Sequence, residues 1–440
     1  MLNLHKMPEF TFPENFLWGS GSAAHQIEGD NIRNQWWHME HAGNTPSIKV
    51  PSGKACNSWQ MLDDDLQLLK ELGHQAYRFS VEWSRIEPEK GAYDPAALDR
   101  YTDFLQKLKS AGIHTSVTLL HFTHPQWFEE LGGFTREENI HHFTGFLEYA
   151  VPRLAPYTDS WTVVNEINLG AVSDIQKRRV LLKAFALGSA VVKSHSAAPV
   201  SAAHALIPCV PLRPYDELDV AAAHLSNWVT NGYFFHAVRT GEIVMPQMDM
   251  EYMPELKNSC DFWALNYYHR RQIDSRKAKL AADKFYFNNF RMCLNYAADR
   301  EFNPEIFVNE VSKLTDKPIW ITENGVCTDT DEFRIIYLMM QLEAMRTAIE
   351  LHHADIRAYF HWSLMDNYEW GNFDMHFGLA AVDPESFART PKPSAYFYRD
   401  VIRANGMSGK LFEKHTPSLP HFELLDMQCA KTVLSQETQA

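Results

Sequence analysis

The chain has 440 residues, 45% hydrophobic and 22% charged, with a net charge of −14. This is the balance of a globular protein with a large core, and the acidic excess without any basic cluster excludes nucleic acid and anionic membrane as partners. The six cysteines are scattered without CxxC spacing, which argues against a zinc ribbon and for free thiols in a reducing, cytoplasmic setting. There is no apolar run of about 20 residues and no basic-then-apolar N-terminus, so neither a transmembrane helix nor a secretory signal is expected.

Short β-rich runs alternate with amphipathic stretches. The first run spans residues 16–20 and the second 76–81. Asp94-Pro95 then offers an N-cap followed by Pro at the first helical position, with Leu98, Tyr101, Leu105 and Leu108 on one stripe and Gly112 closing it. Residues 115–120 form the third run. Thr135 and Glu138 have capping-box spacing ahead of Ile140, Phe143, Leu147, Ala150, Val151 and Leu154 on one face. Runs at 161–164, 200–206, 262–266 and 318–322 follow. A helical stripe of Ile335, Met339, Leu342, Met345 and Ile349 precedes the eighth run, 356–362. The His141–His142 and His352–His353 pairs sit in helical, polar contexts and read as surface residues rather than ligands.

Several runs lack strict alternation, as expected of strands buried on both faces. Eight of them alternating with helices predict an α/β fold, a single (β/α)8 TIM barrel over residues 1–405. The open doubly wound sheet is the alternative, but no GxGxxG follows the first strand. From Gly406 to Ala440 the pattern fades, and residues 406–440 are expected to be a C-terminal tail, loosely ordered or covering the barrel.

In such a barrel, chemistry sits at the C-terminal ends of the strands. His25, Gln26 and Glu28 follow the first strand. Arg78 lies in the second, which ends in Glu82 and Trp83. His121 ends the third, Asn165 and Glu166 the fourth, and Asn266, Tyr267 and Tyr268 the sixth. Glu323 and Asn324 end the seventh. Asp366, Asn367, Glu369 and Trp370 follow the eighth. A lone Glu at a strand end is usually a solvated loop residue, but a coincidence across most of the barrel needs more than that. Strands 4 and 7 lie across the mouth from each other. A pair such as Glu166 and Glu323 therefore suits acid–base work on a bond held between them, as glycoside cleavage requires.

At these residues the chain resembles glycoside hydrolase family 1, the β-glucosidase and β-galactosidase family. The matching segments are FPENFLWGSGSAAHQIEG, YRFSVEWSRIEP, TLLHFTHPQW, WTVVNEIN, DFWALNYY, ITENG and WSLMDNYEWG followed by HFGLAAVD, in family order from about Phe12 to Arg403. The resemblance implies a retaining, exo-acting β-glycosidase with Glu323 as nucleophile and Glu166 as acid/base. It further implies that Arg78 and Tyr268 support the nucleophile and that Asn165 holds the sugar 2-hydroxyl. Gln26, His121, Glu369 and Trp370 would bind the remaining hydroxyls, with Trp362 under the ring and Phe377 lining the pocket. No metal or organic cofactor is implied, and the partner is a small-molecule β-glycoside.

The chain departs from the family pattern in four places. Ile167 stands where the family has Pro. The stretch between Glu166 and Asn266 is short, with much of the loss around residues 174–214. Phe122 replaces a common Trp, and nothing in the family matches the chain after Arg403. Glu369 and Trp370, with no Lys in residues 372–377, favour an unphosphorylated glycone over the 6-phospho branch. A weak or inactive carbohydrate-binding relative and a transglycosidase are the alternatives. Glucose, galactose and fucose remain open, as does the oligomeric state.

Overall fold

A computed structural model describes residues 4–169, 175–276 and 304–417. The eight expected runs are all strands: β1 (Leu17–Gly21), β2 (Ala76–Ser80), β3 (His114–Thr118), β4 (Ser160–Thr162), β5 in two pieces (Val200–Ser201 and Ala203–Ala205), β6 (Trp263–Asn266), β7 (Ile319–Asn324) and β8 (Ile356–Trp362). Every neighbouring pair is parallel. The two pieces of β5 face different ways, Val200–Ser201 pairing with β4 and Ala203–Ala205 with β6. This break closes the ring, so that no strand is left with an open edge.

Alternation inside the barrel sorts side chains into two layers. In β2, Tyr77 and Phe79 point outward into the shell shared with the helices, whereas Ala76 joins Ala203, Ala264, Trp320, Ala358 and Phe360 in an inner plug. Phe262 stacks on Trp320 with ring centroids 4.3 Å apart. Small residues opposite large rings fill the lower barrel to close packing, where His114 bonds Ser160 and meets the Trp320 ring, and the charged groups of the site gather at the upper end. Arg78, two residues past Ala76, has the same inward orientation and is fully buried there.

The helices follow their sequence signals with one exception. Asp94 accepts from the amides of Ala96 and Ala97 at the start of the Pro95–Ser110 helix. The helix at Asp331–His352 buries Ile335, Met339, Leu342 and Met345. The capping box at Thr135 does not form. Gly132 and Gly133 adopt φ of +96° and +51°, and the Thr135 hydroxyl donates to the Gly132 carbonyl at 2.5 Å. The chain passes through two 3-10 turns before the Ile140–Leu154 helix begins.

Part of the expected tail is integral to the body. Gly406–Met407 pairs antiparallel with Phe10–Thr11, and the Gly409–His415 helix buries Phe412 against the ring of His5 at 5.0 Å. The rest of that segment lies outside the described residues. Among the described residues no helix is long and apolar enough to cross a membrane.

Candidate active site

Glu323 ends β7 where the β-ladder loses strict register. The pairing shifts between Leu265 and Asn266 on one side and between Ile321 and Asn324 on the other. Such irregularities re-aim a side chain, and here Thr322 and Glu323 both reach the barrel mouth. The following Gly325 permits the turn, because a Cβ there would stand 2.0 Å from the Trp362 carbonyl oxygen. Arg78 Nη1 donates to Glu323 Oε1 at 2.5 Å and the Tyr268 hydroxyl donates to Oε2 at 2.7 Å.

Glu166 leaves β4 with φ of +45°, a left-handed conformation that a residue with a long side chain adopts only when its surroundings hold it there. Asn266 Nδ2 donates to Glu166 Oε1 at 3.3 Å and to Asn165 Oδ1 at 3.1 Å. Thr322 Oγ1 donates to Asn266 Oδ1 at 2.7 Å, which fixes the amide. Arg78 Nη2 donates to Asn165 Oδ1 at 2.6 Å. The two carboxylates are thus tied through Arg78 on one side and Asn266 on the other.

Their protonation differs for a physical reason. Burial pushes both carboxyls up. Glu323 is countered by the adjacent Arg78 guanidinium and by hydrogen bonds from Arg78, Tyr268 and Asn266. Glu166 has only a weaker influence from Asn266 and a distant one from Arg78, and the charge of Glu323 adds to burial, raising it to about 8. A pair of this kind holds its last proton on Glu166 and its charge on Glu323.

Around the pair stands an aromatic and polar wall. The Asn165 amide is oriented by two donors on its oxygen, so its Nδ2 donates to His121 Nε2 at 3.1 Å. The His121 proton then resides on Nδ1, which has no hydrogen-bond partner among the described residues. Burial and the Arg78 charge hold this imidazole neutral, well below its usual range. Its ring lies nearly parallel to Trp362 and Trp370, at 21° and 16°. Trp362 Nε1 donates to Glu369 Oε1 at 3.1 Å, and burial raises the Glu369 carboxyl to about 8. Gln26 Nε2 donates to Asn367 Oδ1 and the Tyr368 carbonyl, both at 2.9 Å, and its Oε1 has no hydrogen-bond partner among the described residues. Phe377 meets the Tyr268 ring edge-on at 6.1 Å. The residues that the resemblance implicates therefore gather at the barrel mouth, whereas Glu28, Glu82 and Trp83 bond elsewhere, to Arg85, Thr123 and Glu87.

Comparison with known proteins agrees with this geometry. The family model described as Glycosyl hydrolase family 1 matches residues 9–177 and 173–407. The chain belongs to glycosyl hydrolase family 1. Among curated relatives, this family 1 chain is 29% identical to Thermostable beta-glucosidase B of Thermobispora bispora, over 91% of this chain and 92% of that one. It is 26% identical to human Cytosolic beta-glucosidase, over 91% of this chain and 100% of the relative. Among solved structures, a beta-glycosidase from Pyrococcus horikoshii superposes with a TM-score of 0.81 at 31% identity, covering 95% of this chain and 100% of that one.

Two features of the family 1 site gain their meaning only from the structure. Asn266 was noted only as a polar strand end, yet its amide bonds both Asn165 and Glu166. Its signal was its register, since it lies opposite Glu323 across the β6–β7 ladder. The second is Ile167. Its backbone amide, which a Pro would lack, donates to the Ala203 carbonyl at 3.3 Å, and its side chain is fully buried. The substitution thus adds a link to β5 beneath Glu166.

Proposed function

We propose that this family 1 hydrolase removes single β-linked, unphosphorylated sugars by double displacement, with Glu323 as nucleophile and Glu166 as acid/base. The observation that carries the reading is the unequal treatment of two neighbouring buried carboxylates. Arg78 and Tyr268 bond Glu323 directly, whereas among the described residues no cation bonds Glu166, whose carboxyl is pushed up by burial and by the charge of Glu323. An ionised Glu323 attacks the anomeric carbon while Glu166 protonates the leaving oxygen. The resulting carboxylate of Glu166 then takes a proton from the water that attacks the glycosyl-enzyme, and configuration is retained.

The wall residues supply the glycone grip in this reading. Asn165 meets the 2-hydroxyl, and its own amide is held by Arg78 and Asn266. Gln26 Oε1 and His121 Nδ1–H, without partners among the described residues, suit hydroxyl partners, and Glu369 serves the 4- and 6-hydroxyls with Trp370 beside it. A buried carboxyl at that position disfavours a phosphate, since each would raise the cost of charging the other. Lys49, which lies against the Trp370 loop, is paired with Asp374 at 3.6 Å. Glucose is the first-ranked glycone, with galactose and fucose next. The buried Cys56, Cys209, Cys260 and Cys327 form no disulfide among the described residues, which accords with a cytoplasmic location.

Hydrolysis of 4-nitrophenyl β-glucoside followed by proton NMR tests this directly. The β-anomer of glucose should form first. Absence of turnover on any aryl β-glycoside would favour a carbohydrate-binding relative. The stretch between Glu166 and Asn266, short for the family, suits an accessible leaving-group side and favours transglycosylation as a side activity. Product analysis at high acceptor concentration would register it.

A further inference from the structure

Behind the glycone wall lies a buried carboxylate–imidazole pair that the proposed reaction does not use. His25 Nε2 and Glu40 Oε1 are 2.9 Å apart, and neither side chain reaches solvent. Glu40 Oε2 accepts from the backbone amide and the hydroxyl of Ser52, at 2.9 and 2.7 Å. On the other side of the ring, Asn34 Nδ2 is 2.9 Å from His25 Nδ1. Asn34 Oδ1 accepts from the Trp37 amide at 2.8 Å and so caps the Gln35–His41 helix. That bond turns the Asn34 NH2 toward the imidazole. His25 Nδ1 must therefore accept, and Nε2 must carry the proton that goes to Glu40. The ring is held in one tautomer and one orientation.

What this fixed ring faces is Trp370. The two planes are 15° apart with centroids at 5.9 Å. Trp36 and Phe122 meet the same indole edge-on at 4.8 and 5.2 Å. Trp370 has φ of +50°, a strained backbone for a bulky residue, so the rings around it must hold it in place. Glu369 precedes it directly, and Gln26 follows His25 directly with its amide anchored to the loop of residues 367–368. The pair therefore touches the glycone wall through both the indole and the adjoining backbone.

We propose that His25 and Glu40 are positioning residues that set the plane of Trp370 and the reach of Glu369, and thereby fix the grip on the hydroxymethyl side of a hexose without touching the sugar. The proposal rests on the reading above that Glu369 and Trp370 hold the glycone hydroxyls. Glu40→Gln cannot satisfy both neighbours. Its amide nitrogen must oppose either His25 Nε2–H or the Ser52 amide, and the other imidazole tautomer would set Nδ1–H against the Asn34 NH2. His25→Gln keeps a donor for Glu40 but removes the ring.

The test is steady-state kinetics of both variants on 4-nitrophenyl β-glucoside and on 4-nitrophenyl β-xyloside, which lacks the hydroxymethyl group, with thermal midpoints measured in parallel. KM for the glucoside should rise about tenfold with kcat within about twofold, and KM for the xyloside should hardly move, because uniform binding to one part of the substrate is what is lost. Ser52→Ala, a milder change that removes one donor from Glu40, should move the glucoside KM in the same direction if the other variants fold poorly. Equal shifts for both sugars, or a glucoside KM unchanged in folded variants, would overturn the proposal. Glu369→Ala is the reference. If it fails to separate the two sugars, the glycone reading falls and the proposal with it. If it separates them while the His25 and Glu40 variants do not, the positioning proposal alone falls.

Discussion

Arg78 and Glu323 meet at 2.5 Å in the barrel mouth, with side chains 0% and 5% exposed. The same guanidinium reaches Asn165 through its other nitrogen. One cation therefore lowers the charge cost at Glu323 and aligns the strand end that carries Glu166. Removing one partner of such a buried pair leaves the other charge uncompensated.

Arg78→Met is expected to lower kcat/KM by about 100-fold or more, the range found when a group stabilising charge in an active site is removed. Because Arg78 lowers the Glu323 carboxyl against the effect of burial, its loss should move the acidic limb of the pH profile to higher pH. Arg78→Lys keeps a charge but not the two-pronged reach to Asn165. It should shift the acidic limb less while still reducing kcat. Profiles of kcat/KM across pH for the three proteins check both statements.

The alkaline limb belongs to the proton on Glu166. Activity requires that proton, so it should fall as pH rises through about 8. Asn266 bonds the charged form of Glu166 and draws its pKa down. Asn266→Ala should therefore move the alkaline limb to higher pH and reduce kcat/KM by roughly 10- to 100-fold through misplacement of Glu166 and Asn165. An unchanged limb would show that the amide does not act on Glu166.

Glu369 gives a prediction for stability rather than rate. Its folded carboxyl is raised by burial from the ordinary 4.5 to about 8. The protonated form is favoured by folding. Its contribution is present in full below the ordinary value and is lost as pH rises through about 8. Glu369→Gln removes that loss. The variant should melt about 2 °C or more above wild type at pH 9 and show a smaller difference near pH 4.5, while its glycone affinity falls. Thermal melts at the two pH values decide the point.

Much of this was legible because barrel strands are largely apolar and buried on both faces, so that a charge within or at the end of one is conspicuous. Arg78, Glu166 and Glu323 stood out as charges within or ending apolar runs. What was not legible depends on tertiary register. Asn266 became significant only through its place opposite Glu323, and the break at Ala202 is visible only when β5 is seen pairing in two directions. Thr135 carried the right spacing for a cap, but two left-handed glycines ahead of it diverted its hydroxyl. The terminal strand at Gly406–Met407 is two residues long and exists through its partner at Phe10–Thr11, a pairing without local periodicity.

The assignment of roles to Glu166 and Glu323 is tested most directly by azide rescue of Glu166→Ala and Glu323→Ala on 4-nitrophenyl β-glucoside, with the product configuration read by NMR. The account predicts that azide restores turnover to Glu166→Ala with a β-glycosyl azide as product, and that any rescue of Glu323→Ala gives the α-azide. The opposite pairing of variant and anomer, or a Glu323→Ala protein that hydrolyses the glucoside at the wild-type rate without azide, would contradict it.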